Sequence, residues 1–102
     1  MNVAQTILQQ LGGNRFLAMT GARNLVNTGN GLAMQLPKNS SGANRLTIET
    51  DANDTYSVRF WKLRKLEPVD VVAHDGIYCD MLQPIFTQTT GFDTNMGAII
   101  RR

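Results

Sequence analysis

The chain has 102 residues, of which 42% are apolar, 18% charged and 7% aromatic, with a formal net charge of +2. This length fits one domain, and the apolar fraction is sufficient for a folded core, which excludes wholesale disorder. No segment approaches the roughly 18 consecutive apolar residues of a membrane helix, and the N-terminus lacks a signal-peptide pattern. The single cysteine, Cys79, excludes an internal disulfide framework and favours a reducing cytoplasm.

The N-terminal segment has the periodicity of an amphipathic helix. We predict a helix from Asn2 to Leu11, capped by Asn2 and ended by the glycines at positions 12 and 13. Its apolar stripe consists of Val3, Ile7, Leu8 and Leu11. The short apolar run Arg15–Thr20 predicts a strand buried on both faces. Gly21–Gly31 predicts a loop, in which Gly29-Asn30-Gly31 forms a turn with positive backbone dihedrals.

The middle of the chain alternates apolar and polar residues, which predicts half-buried strands. One strand covers Leu32–Leu36 and ends at Pro37, and a turn follows over Asn39–Gly42. The next two strands form a hairpin around the Asp51–Thr55 loop. A common apolar face requires a register that pairs Ile48 with Val58, Leu46 with Phe60, Thr47 with Arg59 and Arg45 with Trp61.

The last part of the chain predicts a strand and a helix. The strand covers Val69–Ala73, after Pro68. The helix covers Gly76–Thr90, with Asp75 as N-cap and Gly91 beyond its end. Its apolar stripe consists of Ile77, Met81, Leu82, Ile85 and Phe86, so we expect Cys79 to be a small core residue. We expect Pro84 to kink or break this helix.

The order of these elements predicts an α+β domain with two layers. It comprises an N-terminal helix, a four- to five-stranded antiparallel meander and a C-terminal helix, with both helices on one face of the sheet. The single domain covers residues 1–91, and residues 92–102 form a tail that either docks on a sheet edge or partner or frays. The other sheet face carries Arg45, Thr47, Glu49, Ser57, Arg59 and Trp61.

The most informative functional feature is a basic-aromatic cluster formed by Arg59, Trp61, Lys62, Arg64 and Lys65. Three interpretations remain open. Trp61 could pack under Arg45 as a structural cation–π pair. Trp61 and Arg59 could anchor a protein interface, where these residue types dominate the binding energy. The ring could instead stack a base while the cations contact phosphates.

Catalytic and metal-binding patterns are weak. One group could suggest a metal or a cysteine nucleophile: His74, Asp75, Cys79 and Asp80. The sequence has no second Cys or His to complete a structural zinc site, and no oxyanion site can be argued. The glycine-containing stretch after Thr20 lacks the phosphate-loop pattern. We therefore expect neither an enzyme nor a bound cofactor.

Two stretches of the chain stand out as motifs: Ile7-Leu8-Gln9-Gln10-Leu11-Gly12-Gly13-Asn14-Arg15-Phe16 with Met19-Thr20-Gly21-Ala22-Arg23-Asn24, and Met81-Leu82-Gln83 with Ile85-Phe86-Thr87 and Thr90-Gly91. Together they resemble small proteins of unknown function that phages and mobile elements encode. This resemblance implies a phage or prophage accessory protein in the bacterial host cytoplasm. By analogy, a small non-enzymatic protein of this origin would be an inhibitor or adaptor that occludes a host protein, and an anti-defence role, anti-CRISPR inhibition included, is one such role.

The leading functional hypothesis is a non-catalytic domain that binds a host protein. Its binding face would have Trp61 and Arg59 at the centre and Arg45, Thr47 and Glu49 around them. The alternative is a nucleic-acid-binding accessory protein that uses Arg59, Trp61, Lys62, Arg64 and Lys65. A third possibility is a homodimer formed by pairing of an exposed strand edge. No membrane partner is expected.

Overall fold

A computed structural model of the protein describes residues 3–51 and 54–92. This part of the chain folds into three helices, a 3₁₀ turn and one antiparallel sheet of five strands. In chain order, the elements are α1 (Val3–Leu11), α2 (Asn14–Thr20), β1 (Arg23–Asn27), β2 (Gly31–Gln35), β3 (Arg45–Thr50), β4 (Tyr56–Arg64), β5 (Glu67–Ile77), the 3₁₀ turn (Cys79–Met81) and α3 (Leu82–Thr90). The predicted α+β architecture is confirmed.

The sheet is a simple meander in which each strand pairs with the next, from β1 at one edge to β5 at the other. The predicted register of the β3–β4 hairpin is confirmed, with Ile48 opposite Val58 and Arg45 opposite Trp61. A one-residue slip would turn the buried side chains of this hairpin to solvent, so burial fixes the pairing. The same register continues into β2, where Leu32 lies opposite Ile48.

The core lies between the helices and one face of the sheet. Leu11 and Ile7 of α1 are fully buried against it. Three aromatic rings, one each from α2, β4 and α3, form its centre. The ring centroids of Phe16 and Phe86 are 5.0 Å apart in an edge-to-face arrangement, and those of Phe60 and Phe86 are 6.1 Å apart. Helix α2, strand β4 and helix α3, which are distant in sequence, therefore meet at Phe86.

The strand predicted for Arg15–Thr20 is wrong, because these residues form most of helix α2. Gly12 and Gly13 have positive φ angles of 127° and 63°, so the chain turns there and begins a second helix. Phe16 points into the core, and the Thr20 hydroxyl donates to the Phe16 carbonyl at 2.7 Å, as occurs along helices. A six-residue apolar run cannot separate a buried strand from a short helix.

The loop predicted for Gly21–Gly31 is also wrong, because it contains strand β1. Its residues are mostly polar and exposed, since β1 is an edge strand held by backbone pairing with β2. Within the predicted turn, Gly29 does have a positive φ of 103°. Gly31 serves a different purpose: a Cβ there would lie 2.1 Å from the Ile48 carbonyl oxygen, so the close approach of β2 to β3 requires glycine.

The C-terminal helix is shorter than predicted. Gly76 and Ile77 belong to β5, which extends well beyond the predicted Val69–Ala73, so Asp75 is a strand residue and not an N-cap. The sequence predicts a kink or a break into two short pieces at Pro84, and the predicted span does contain two short pieces, the 3₁₀ turn Cys79–Met81 and helix α3, but their boundary lies before Leu82 and not at Pro84. Helix α3 begins at Leu82, which places Pro84 in its first turn, where the backbone N–H needs no helical acceptor. Gly91 ends the helix with a φ of 83°, as predicted.

The predicted N-cap Asn2 and the tail beyond Phe92 lie outside the described residues. Phe92 itself is partly buried against the core. No helix within residues 3–51 and 54–92 is long and apolar enough to cross a membrane.

Candidate functional site

One face of the sheet is covered by the helices, and the opposite face is not covered by any described element. Strand alternation places every second residue of β3 and β4 on this uncovered side. We call it the open face and define it by Arg45, Thr47, Glu49, Ser57, Arg59 and Trp61. The face carries no fully buried side chain, in contrast to the side chains of the same strands that point toward the helices.

Trp61 is the largest side chain of the open face and is held by two neighbours. Its indole Nε1 donates a hydrogen bond of 3.0 Å to the hydroxyl oxygen of Thr47 on β3. The guanidinium carbon of Arg59 lies 5.1 Å from the centroid of the ring, which is a cation–π distance. These two contacts fix the ring before any partner arrives.

Arg59 is in turn held by Asp70 of β5. The Arg59 Nε lies 2.7 Å from the Asp70 Oδ1, although both side chains are about half exposed, at 44% and 57%. An ion pair so exposed adds little stability, so its main effect is to orient the guanidinium over the ring. A bulge makes this possible, because Phe60 pairs with Val72 but Trp61 pairs with Asp70.

The predicted stacking of Trp61 with Arg45 is therefore corrected: the register is right, but the cation over the ring is Arg59. Arg45 lies beside a shallow groove that runs between Trp61 and β1. This groove has a volume of about 310 Å³. Its lining includes Asn24, Val26, Ala33, Gln35, Arg45 and Trp61.

Glu49 lies at the other end of the open face, where it accepts a hydrogen bond of 3.1 Å from the Thr28 hydroxyl. The Ser57 hydroxyl is beside it in the pairing and lies within hydrogen-bond distance of two carboxylates, Asp51 at 2.8 Å and Asp75 at 3.1 Å. The open face is therefore acidic at the end near Ser57 and basic at the end near Trp61.

The basic-aromatic cluster does not converge on one surface. Alternation along β4 places Lys62 and Arg64 on the side opposite Trp61. Lys65 lies at the tip of the β4–β5 hairpin. Only Arg59 and Trp61 of the predicted cluster share the open face.

Sequence reasoning missed the tip of this hairpin. Its two-residue turn consists of Lys65 and Leu66, with φ angles of 52° and 67°, and the strands close on the pair Arg64–Glu67. Turns of this type normally take Asn-Gly, because bulky residues resist positive φ. Leu66 is also 89% exposed. No Gly or Asn marks the turn in the sequence, which is why it escaped prediction.

The group suggested by His74, Asp75, Cys79 and Asp80 is spread over two elements. His74 and Asp75 lie in β5, whereas Cys79 and Asp80 begin the 3₁₀ turn. Cys79 is exposed, so its predicted core position is wrong. Within the part of the chain that the structure describes, no three His, Cys, Asp or Glu side chains are placed to hold a metal ion.

Tyr56 is the residue of the covered face with a perturbed ionisation. Its hydroxyl donates to the side-chain oxygen of Gln10 at 2.7 Å, which connects β4 to α1. Burial raises the pKa of this phenol above its ordinary value, and electrostatic repulsion from Cys79 adds to the rise. The Gln10 amide, which can donate to a phenolate, partly offsets this rise. Tyr56 therefore acts as a neutral hydrogen-bonding group.

Comparison of the chain with known protein families, with curated proteins and with solved structures gives no match.

Proposed function

We propose that this protein is a non-catalytic binding domain that contacts another protein through its open face. Trp61 and Arg59 form the centre of the contact, with Arg45, Thr47 and Glu49 around them. The observation that supports this proposal is the fixed position of a half-buried tryptophan on a sheet face that no described element covers.

A fixed aromatic side chain is a good anchor because binding then costs little side-chain entropy. The Thr47 hydroxyl and the Arg59 guanidinium already restrict the Trp61 ring in the unbound protein. Tryptophan and arginine are the residue types most enriched among the few side chains that carry the energy of a protein interface.

Nucleic-acid binding is the weaker alternative, for two reasons. Lys62 and Arg64 lie on the opposite side of β4 from Trp61, so the open face offers few phosphate contacts. The charge of Arg59 is neutralised by Asp70, and its guanidinium lies over the ring where a base would stack.

The biological setting of the proposal comes from the sequence resemblance alone. A phage or prophage accessory protein in a bacterial cytoplasm would bind a host protein, and an anti-defence inhibitor is one such role.

The test is quantitative capture of bacterial proteins on the immobilised wild type, Trp61→Ala and Tyr78→Ala, each with nuclease added. Tyr78 is the control because it is an exposed aromatic residue that lies beyond the end of β5 and outside the open face. We expect the wild type to retain a stoichiometric protein. Trp61→Ala should weaken its binding by about 2 kcal/mol, or about 30-fold, and Tyr78→Ala should leave it unchanged.

Two results would contradict the proposal. A folded Trp61→Ala variant that captures the same protein as tightly as the wild type removes the open face as the binding site. Capture that disappears with nuclease, and that weakens steeply with salt, assigns the activity to nucleic-acid binding.

A further inference from the structure

The groove beside Trp61 has an apolar base and one basic wall. Val26 of β1 and the Trp61 ring stand on either side of it, and Ala33 of β2 lies between them. Ala33 pairs with Val26 on one side and with Thr47 on the other, so this small side chain creates the depression. Its volume of about 310 Å³ is at the lower end of ligand sites and suits one side chain rather than a large ligand.

Arg45 supplies the charge of this groove. Its Nη1 donates to the backbone carbonyl of Asn44 at 3.1 Å. Among the residues that the structure describes, Arg45 makes no ion pair, whereas Arg59 on the next strand is paired with Asp70. A guanidinium has five N–H donors in a planar fork, and this fork matches a carboxylate. The half-buried Arg45 therefore has donors available at the edge of an apolar depression.

The remaining polar groups of the groove are already engaged with each other. The Asn24 side-chain nitrogen donates to the side-chain oxygen of Gln35 at 2.8 Å. This bond ties β1 to β2 along one rim and gives the groove a fixed polar wall. An anionic group entering the groove would consequently meet Arg45 as its main charged partner.

We propose that this groove binds an apolar side chain that is accompanied by a carboxylate, as in an aromatic residue next to Asp, Glu or a C-terminus of a protein partner. The apolar part would occupy the depression at Ala33, and the carboxylate would pair with Arg45. This inference rests on the proposed function, since it names the chemistry of the partner at the same face. It adds the prediction that recognition depends on the charge of Arg45.

Trp61 provides a direct readout because it is the only tryptophan of the chain. The probe is N-acetylphenylalanine, which has a phenyl ring and a carboxylate, and its neutral match is N-acetylphenylalanine amide. Both are titrated against the wild type, Arg45→Gln and Ala33→Leu while the tryptophan fluorescence is followed. Uridine monophosphate is the third probe, because it carries a base and a phosphate and so represents nucleic acid.

For the wild type we expect a saturable fluorescence change and a preference for the acid over the amide of about two- to five-fold, as for a partly exposed ion pair. Arg45→Gln should abolish the preference while leaving binding of the amide unchanged. Ala33→Leu should fill the groove and prevent binding of both. Circular dichroism and thermal unfolding of the variants separate loss of binding from loss of folding.

Three results would overturn the inference: no saturable change with either phenylalanine probe, equal binding of acid and amide, or a preference that survives Arg45→Gln. Tighter binding of uridine monophosphate than of N-acetylphenylalanine would overturn it in favour of a nucleotide. These outcomes leave the proposed function testable on its own, because the comparison of the wild type with Trp61→Ala measures capture of a whole protein on the open face and uses neither phenylalanine probe. If the probes do not bind the groove as expected and protein capture still depends on Trp61, then the proposed function stands and only the inferred chemistry of the partner is wrong.

Discussion

The two faces of the sheet use the same strands for different purposes. Toward the helices, Phe60 is fully buried and packs against Phe86, so its contribution is stability. Toward solvent, its neighbours Arg59 and Trp61 contact each other. Arg59 also forms an ion pair with Asp70, and Trp61 donates a hydrogen bond to Thr47. Apolar packing is non-directional, whereas hydrogen bonds and ion pairs fix a geometry. The covered face therefore stabilises the fold, and the open face presents side chains in fixed orientations.

The largest expected effect separates these two roles. Phe86→Ala should lower the free energy of unfolding by about 3–5 kcal/mol, because it leaves a cavity between two other rings. Trp61→Ala should lower it by only about 1 kcal/mol, since the ring is half-buried and its hydrogen bond is to a neighbouring strand. Urea unfolding of both variants measures the difference. A greater loss of unfolding free energy from Trp61→Ala than from Phe86→Ala would contradict this division of roles between the two faces.

Both faces depend on the close approach of β2 and β3 at Gly31. Gly31→Ala should destabilise the protein by about 1–3 kcal/mol, because its Cβ would collide with the backbone of Ile48 and Glu49. The control is Gly29→Ala, where a Cβ meets nothing within 4 Å and the cost comes only from the positive φ of 103°. Thermal unfolding compares the two. A smaller loss at Gly31 than at Gly29 would show that the strands can separate there without penalty.

The tip of the β4–β5 hairpin lies outside both faces, and substitutions there should raise the stability of the protein. The double substitution Lys65→Asn/Leu66→Gly should raise the free energy of unfolding by about 1 kcal/mol, because both residues have positive φ. Chemical denaturation of the variant beside the wild type provides the measurement. An unchanged or lower midpoint would mean that the turn does not carry the expected strain.

The smallest effect concerns the covered face at alkaline pH. The raised pKa of Tyr56 means that the fold binds the phenolic proton more tightly than the unfolded chain does. Its stabilising contribution is complete below the ordinary tyrosine pKa of about 10 and is lost as pH rises through the folded-state value. Tyr56→Phe should therefore flatten the decline in stability above about pH 10. The control Tyr78→Phe, at an exposed tyrosine, should retain the wild-type profile, and the opposite pattern would contradict this account.

The covered face was largely predictable from sequence, and the open face only in part. Strict alternation around Ile48 and Val58 fixes the register of the central hairpin, and the register places Trp61 beside Thr47 and Arg45. The stacking of Arg59 on Trp61 could not be predicted from the sequence, because it depends on a bulge in β5 that brings Asp70 opposite Trp61.

Local ambiguity explains the other errors. The run Arg15–Thr20 is too short for its period to distinguish a helix from a buried strand. Strand β1 has polar, exposed residues, and only its pairing with β2 makes it a strand. At the C-terminal helix, the sequence predicts that Pro84 kinks or breaks a long helix, but helix α3 begins two residues earlier, at Leu82, directly after the 3₁₀ turn.

Photo-crosslinking is the most direct test of the claim that the open face is the binding surface. A photoreactive phenylalanine analogue is placed at Ala73, which pairs with Arg59 beside the open face, and separately at Gln9 and Gln88, which are exposed on α1 and α3. We expect the protein that is captured in the presence of nuclease to crosslink to the variant at position 73 and not to those at positions 9 and 88. Crosslinking only from the helices would contradict it.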